Sequence, residues 1–577
     1  MFEKSGVYDP AAGAHTRFAP SRARRLLSGA LFALAASLPG LTDAREALAA
    51  RIDEGLAQRM AEADRAATST SVRGLIVLDE QLDIAQLERD IARLGLTTRA
   101  ARHQYVIERA QELAARTQGR VLSDLSRERT SGAVIRTRPY WIANVVAVEA
   151  VPSVFRRLSS DPSVASLEED VVIEIRRGVP SGPEIFPNLH KPSQHSMTGP
   201  IATQDGQICI NLQPVWDLGY TGTGRIVATF DTGVDGNHPA LASKWRGTDP
   251  GVPWYHAWRD NQSNTEFPLD YASHGTHVMG ILVADPPDEE PLGVAPDAKW
   301  IAAQILQGYN VSEIIDCYQW ASDPDSNAAT IEDVPDVINN SWGTSNNCSS
   351  TFWVAIDVVE AAGVINVIAV DNSGPGVATV NSPESRAETP LRNFGVGNVN
   401  PHVAGYPVWS TSGRGPSPCD MTSIKPEVAA PGAQIRSSLP GGVYGNLTGT
   451  SMASPHVSGA CALLREFYPD VTVDQMKEAL MVTAVDKGAV GEDNDYGWGI
   501  IDVSAAMDYV YDNFVPLPTP YDLEATVLDV VDVQLSWFPP MRVNPDNPLV
   551  GERIYRAAGI DTFPALPTYE IAPIPPT

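Results

Sequence analysis

Hydrophobic and polar positions divide this chain into two regions of regular pattern. In the first, Val72 to Leu78 reads as a strand, and Ile84 to Arg127 is largely helical, rich in helix formers and charges. Ala133 to Ile142 and Asn144 to Ala150 alternate like strands, Val151 to Ser160 reads as a helix, and Val164 to Ile175 returns to strand. That order suits a small ferredoxin-like α+β sandwich with an inserted helical stretch. In the second region, short apolar runs at Arg225–Phe230, Lys299–Ile305, Asp336–Asn340 and Val364–Val370 alternate with helix-like segments. Alternation of that kind predicts a parallel sheet with helices on both faces.

Three segments of the second region carry chemistry. Gly449-Thr450-Ser451-Met452-Ala453-Ser454-Pro455-His456 sets a serine among small residues just before an apolar helical run, Val457 to Leu464. A serine at a helix start is usually an N-cap, but unpaired N–H groups there also suit an attacking hydroxyl and the anion it creates. Asp231 closes a buried strand and runs into Thr232-Gly233, a setting that orients a carboxylate toward an imidazole. His274 supplies an imidazole at a loop-to-helix transition. A serine hydroxyl needs a base to take its proton during attack, so the three side chains form a chemically complete set.

The chain order Asp231, His274, Ser451 and the segments Asp231-Thr232-Gly233, His274-Gly275-Thr276-His277 and Gly449-Thr450-Ser451-Met452-Ala453 resemble the subtilase family of serine peptidases. The resemblance extends to Leu292–Pro296, to Val337–Gly343, to Lys425–Gly432 and to Tyr496–Gly499. It covers 208–512 and looks most similar to the bacillopeptidase F-like branch at Pro253-Trp254-Tyr255 and Lys299–Ala303. It implies Ser451 as nucleophile, His274 as base and then acid, and Asp231 as its orienter. Asn372 would be the oxyanion donor, and Ser341, Trp342 and Gly343 a strand that pairs with substrate. Val370 and Asp371 stand where the family has Ala and Gly, and Asp371 is expected to point outward. The region 72–176 resembles a subtilase propeptide, most clearly at Tyr140–Val148, which implies an intramolecular inhibitor. Maturation is expected in the Pro/Gly/Ser-rich connector 177–207.

The remaining features refine this picture. The formal charge of −28, from 42 basic and 70 acidic residues, argues against a nucleic-acid partner and suits a soluble extracellular protein. Arg22, Arg24 and Arg25 precede the apolar run Leu26–Leu38, with small residues near Thr42-Asp43-Ala44, so 1–44 reads as a leader and secretory signal. No later segment looks membrane-spanning. At most two disulfides can form from five cysteines, with Cys348–Cys419 one candidate pair and Cys317 and Cys461 in core helices. His274 and His277 lack a third ligand at metal spacing. No cofactor is required for the chemistry. The acidic loop 284–291 leaves open a structural calcium ion beside a solvated loop.

Prolines at 516, 518 and 520 mark a linker over 513–520. The segment 521–577 then resembles part of a fibronectin type III domain. The expected partners are protein or peptide substrates and the chain's own propeptide. Two other readings are a maturation peptidase narrowed by Trp342 and the loop Val380–Thr389, and an inactive scaffold that binds through its C-terminal segment.

Overall fold

The computed structural model describes residues 51–66, 70–173, 175–176, 204–305, 308–344 and 346–516, with further strands at 521–527, 533–538, 553–554 and 569–570. The expected leader, most of the connector and most of the C-terminal segment lie outside these residues. At the C-terminal end, Tyr521–Val527 pairs antiparallel with Val533–Phe538.

The N-terminal α/β unit is built on a five-stranded sheet of β1 (Arg51–Ile52), β2 (Val72–Leu78), β3 (Val134–Tyr140), β4 (Val145–Ala150) and β5 (Val164–Glu169). Its order is β1-β5-β2-β4-β3, and all pairs but β1–β5 are antiparallel. Without β1 this is the expected ferredoxin-like arrangement. The unit begins at Arg51, not at the expected Val72. A helix Glu54–Arg65, capped by Asp53, joins β1 to it and buries Leu56 and Met60. The inserted helical stretch forms two helices, Ile84–Leu94 and Arg99–Arg129, separated by Gly95 in the left-handed conformation that glycine favours. Past this unit, β6 (Ile175–Arg176) pairs with a strand of the second region.

The second region begins at Gln204, whose side chain completes a capping box on helix Asp205–Cys209, slightly ahead of the expected boundary at 208. Its sheet contains β7 (Ile226–Asp231), β8 (Trp258–Asp260), β9 (Lys299–Gln304) and β10 (Val337–Asn340). After the short β11 (Gly343–Thr344) come β12 (Ile365–Ala369), β13 (Phe394–Val399) and β14 (Val428–Pro431). Seven of these strands form one parallel sheet in the order β14-β13-β12-β10-β7-β9-β8. The strands β7, β10 and β12 are buried along their whole length, as near-continuous apolar runs require. The order reverses between β7 and β10, so the carboxyl ends of these two strands flank a topological switch point, where such sheets bind ligands.

Helix Thr450–Phe467 crosses the sheet from β7 to β14 and is buried from Thr450 to Arg465. Cys348 and Cys419 form a disulfide that ties the loop after β11 to the loop before β14, while Cys209, Cys317 and Cys461 are free and buried. Replacing both bridged cysteines by serine should lower stability by about 2–4 kcal/mol, chiefly through the loosened unfolded chain. Urea unfolding in a Ser451→Ala background checks this without self-digestion.

Candidate active site

Asp231 ends β7 and is 1% exposed. Its Oδ1 lies 2.7 Å from His274 Nδ1 and also accepts a hydrogen bond from the Thr232 N–H at 2.7 Å. His274 opens helix His274–Val283. Two glycines make this closeness feasible. A Cβ on Gly275 would lie 2.1 Å from the Gly233 carbonyl oxygen, and one on Gly233, at φ +106°, would lie 1.9 Å from Leu269 O. The helix carrying the imidazole can therefore sit directly on the strand end carrying the carboxylate.

Asp270 clamps the same junction, and no local sequence signal singled it out. Its Oδ1 accepts from Thr232 Oγ1 at 2.7 Å and from the N–H groups of Ala272 and Ser273 at 2.9 Å each. Its Oδ2 accepts from Thr276 N at 2.8 Å and Thr276 Oγ1 at 2.5 Å. Thr232 Oγ1 in turn accepts from Gly275 N at 2.8 Å. Asp270 thus ties the residue after Asp231 to both sides of His274 and supports Ser273 in a strained left-handed φ of 68°. Asp270→Asn puts an amide N–H where Thr276 needs an acceptor. It should lower kcat about 10- to 100-fold with a smaller change in KM, as loss of alignment does. Steady-state kinetics on a short peptide substrate checks this.

Ser451 is the second residue of helix Thr450–Phe467, which packs against helix His274–Val283. Met452 shares an apolar cluster with Val278 and Ile281 of the histidine helix. A buried polar network holds the serine helix to the end of β10. Ser341 Oγ donates to Ser451 O at 2.9 Å and lies 3.0 Å from Ser454 Oγ, and Ser454 Oγ donates to Asn339 Oδ1 at 2.7 Å. Ser451 Oγ is 3.4 Å from Ser341 O.

Asn372 stands beside the start of the same helix. Its Oδ1 accepts from Thr450 N at 2.9 Å, which fixes the amide orientation, and a Cβ on Gly449 would lie 3.2 Å from that oxygen. Thr450 Oγ1 donates to Asp371 O at 3.1 Å, a second tie between the two loops. The expectation that Asp371 points outward is not met, for it is 6% exposed. Its carboxylate accepts from Asn372 N at 2.6 Å, Ser373 Oγ at 3.1 Å and the Asn381 amide. Asp371 has φ +77°, which explains the family's glycine here. Aspartate tolerates this conformation better than most residues, and its side chain bonds locally.

The expected substrate strand needs correction in detail. Trp342 is 1% exposed and meets Phe352 edge to face, so its ring belongs to the core and narrows no pocket. Ser341 spends its side chain on the buried network. The pairing edge is Gly343–Thr344, antiparallel to Arg176 and Ile175. The loop Val380–Thr389 supports this edge from behind, since Thr344 N donates to Ser382 O at 2.8 Å.

Two other histidines of this region, His277 and His456, are buried and bonded to the backbone. Burial pushes His277 down to about 3 and His456 down to about 4, and each bonds a backbone carbonyl, that of Gly445 and of Met452 respectively. In the loop 284–291, Asp285 faces Lys244 and Glu289 pairs with Arg436. Among the described residues no group of three or more His, Cys, Asp or Glu side chains could hold a metal ion, and no helix is long and apolar enough to cross a membrane.

Comparison with known proteins agrees with this geometry. A model of the subtilase family matches residues 222–499. Bacillopeptidase F of Bacillus subtilis (strain 168) is 33% identical over 434 residues, covering 70% of this chain and 29% of that protein. Subtilisin NAT of Bacillus subtilis subsp. natto is 32% identical over 377 residues, covering 64% of this chain and 82% of that protein. Subtilisin of Bacillus pumilus is 33% identical over 293 residues, covering 50% and 92% respectively. The chain thus spans under a third of bacillopeptidase F but most of each subtilisin. With the parallel sheet and the residues gathered at its switch point, these matches establish that the chain belongs to the subtilase family and carries a subtilisin-like serine peptidase domain.

Proposed function

We propose that the protein is a secreted serine endopeptidase, made as a self-processing zymogen, that hydrolyses peptide bonds through an acyl-enzyme. The observation that carries the reading is the buried Asp231–His274 hydrogen bond of 2.7 Å beside the helix that begins at Thr450-Ser451. Ser451 attacks the scissile carbonyl while His274 takes its proton, and Asp231 holds the imidazole in the tautomer that leaves Nε2 as the base. The Asn372 amide, oriented by Thr450, and the N–H of Ser451 stabilise the tetrahedral oxyanion. His274 then protonates the leaving amine, and water hydrolyses the acyl-enzyme along the same path. Substrate adds as a strand to the Gly343–Thr344 edge, where recognition is mainly of the backbone.

Three features support the zymogen and secretion readings. The chain itself occupies the substrate edge, because Ile175–Arg176 pairs with Gly343–Thr344. The basic and apolar leader has the order of a secretory signal, and a disulfide between Cys348 and Cys419 suits an oxidising compartment. With Gln204 already capping a helix of the catalytic domain, the maturation cut falls between 177 and 203.

The test compares the intact mass of secreted wild type and Ser451→Ala, with fluorophosphonate labelling of both. Wild type should lose the N-terminal unit and take the label, while the variant keeps the unit and stays unlabelled. Equal processing of both with no label on either refutes the reading.

A further inference from the structure

Strands β10 and β12 run paired and parallel as far as Asn340 and Ile368 and then part. The crevice between their continuations has Ser341–Thr344 on one bank and Ala369–Asn372 on the other. Ser451 Oγ stands 3.4 Å from Ser341 O on the first bank, and Asn372 Oδ1 on the second accepts from Thr450 N at 2.9 Å. A scissile carbonyl held between this hydroxyl and the Asn372 amide therefore has its own residue's side chain beside the crevice. The register of the substrate edge agrees. Ile175 faces Thr344 and Arg176 faces Gly343, so an antiparallel strand sets the residue two positions beyond the partner of Gly343 opposite Ser341.

Both banks are pinned. Asp371 O accepts from Gly413 N at 2.9 Å and from Thr450 Oγ1 at 3.1 Å, and Gly374 N donates to Thr411 O at 3.0 Å. A Cβ on Gly413 would lie 2.2 Å from Val370 O, so the loop behind already presses on this bank. On the other side, Thr344 N donates to Ser382 O at 2.8 Å. One side chain spans the gap between the banks. Asn381, 3% exposed, donates from its amide to Asp371 Oδ2, while a Cβ on Gly343 would lie 3.7 Å from Asn381 Cβ. Asp371 meets it from the opposite bank, with its carboxylate also bonded to Asn372 N and Ser373 Oγ. A space packed this closely accepts little added volume.

We propose that the Asn381–Asp371 pair is the floor of the pocket for the residue before the scissile bond, and restricts that residue to Gly, Ala or Ser. A larger side chain has to displace the Asn381 amide, which strips a hydrogen bond from a buried carboxylate. An acidic one meets the Asp371 charge as well. The selection is by volume, because the Asp371 carboxylate turns onto Asn372 N, Ser373 Oγ and Asn381 and so closes the crevice to Lys and Arg too. The chain's own sequence fits this restriction. Two positions after Arg176 it has Gly178, inside the window proposed for maturation. This inference rests on the reading of the protein as an endopeptidase with Ser451 as nucleophile.

The experiment measures kcat/KM of the matured enzyme on tetrapeptide p-nitroanilides that differ only in the residue before the anilide: Gly, Ala, Ser, Leu, Phe or Lys. Ala should exceed Leu, Phe and Lys at least about 30-fold, since a single misfitting methylene is worth about 10- to 200-fold. Asn381→Gly, which empties the floor, should raise the Phe-to-Ala ratio at least about tenfold. If Asn381→Gly does not accumulate, Asn381→Ala carries the test in the same direction. A wild type that favours Leu, Phe or Lys over Ala overturns this proposal alone, as does a Phe-to-Ala ratio that the Asn381 variant leaves unchanged. Hydrolysis of none of the peptides, with no fluorophosphonate label on Ser451, overturns the proposed function and this proposal with it.

Discussion

Replacing His274 with alanine is expected to lower kcat about a millionfold while KM stays within a few-fold. That is the loss caused by removing the histidine or serine of a subtilisin-type triad, and it is borrowed from such sites. The reason lies in where the imidazole acts. In the proposed mechanism it binds no part of the ground-state substrate, and it removes the Ser451 proton only as the new bond forms. Its other nitrogen already faces Asp231 at 2.7 Å, so its orientation is set before substrate arrives. Asp231→Asn should cost less, about 10^4-fold, because it leaves the geometry but favours the wrong tautomer. The double variant His274→Ala with Ser451→Ala should be no worse than either single one, since the side chains act as one unit. The measurement is peptide hydrolysis by protein cut at a foreign site in 181–203 and freed of its N-terminal unit, because these variants should not process themselves. A loss of less than about 100-fold for His274→Ala would refute its role as general base.

The three proposed reactive residues are legible as candidates because each sits in a short contiguous setting: a buried strand ending in Asp231, a helix opening at His274, small residues around Ser451. The groups that align them were not, because their partners are distant in sequence or in another element. Asp270 looks like any loop aspartate until Thr232 and Thr276 close around it. Asp371 reads as an exposed charge next to an oxyanion donor, and only Asn381, ten residues on, turns it into a buried acceptor. Trp342 suggested a bulky wall for a pocket, but its ring turns inward to meet Phe352. The two-residue strand Arg51–Ile52 is too short for any hydrophobic period to show. The helical insert was visible as a helix, but its apolar stripe could not tell which surface it covers. That surface is a catalytic domain whose sheet begins only at Ile226.

Replacing Lys425 by methionine is expected to cost about 3–5 kcal/mol of stability at pH 8, the penalty for stripping the counter-charge from buried carboxylates. Lys425 lies within the stretch that resembled the family's approach to the nucleophile. The side chains of Lys425, Glu384 and Glu427 are 2%, 0% and 1% exposed. The Lys425 ammonium donates to Glu384 Oε1 at 2.8 Å, Glu427 Oε1 at 2.5 Å and Asn393 O at 3.2 Å, filling all three of its donor positions. Glu427 Oε2 accepts from Gly395 N at 2.8 Å, so the cluster joins the supporting loop to β13 and to the lead-in of β14. Burial holds the Glu384 carboxyl well above the usual range, with Lys425 pulling it back and Glu427 pushing it further up. A carboxyl raised in the folded state binds its proton more tightly there than in the unfolded chain. Its contribution therefore favours folding at low pH and is lost as the pH rises through the folded value. Without Lys425 that pull is gone, so the penalty in Lys425→Met should be largest at pH 8 and shrink toward pH 5 as Glu384 takes up a proton. Adding Glu384→Gln should recover part of the loss at pH 8, where one of the two buried charges disappears. Urea unfolding of both variants in the Ser451→Ala background at the two pH values checks this, and an equal loss at both would show that Glu384 does not titrate with folding.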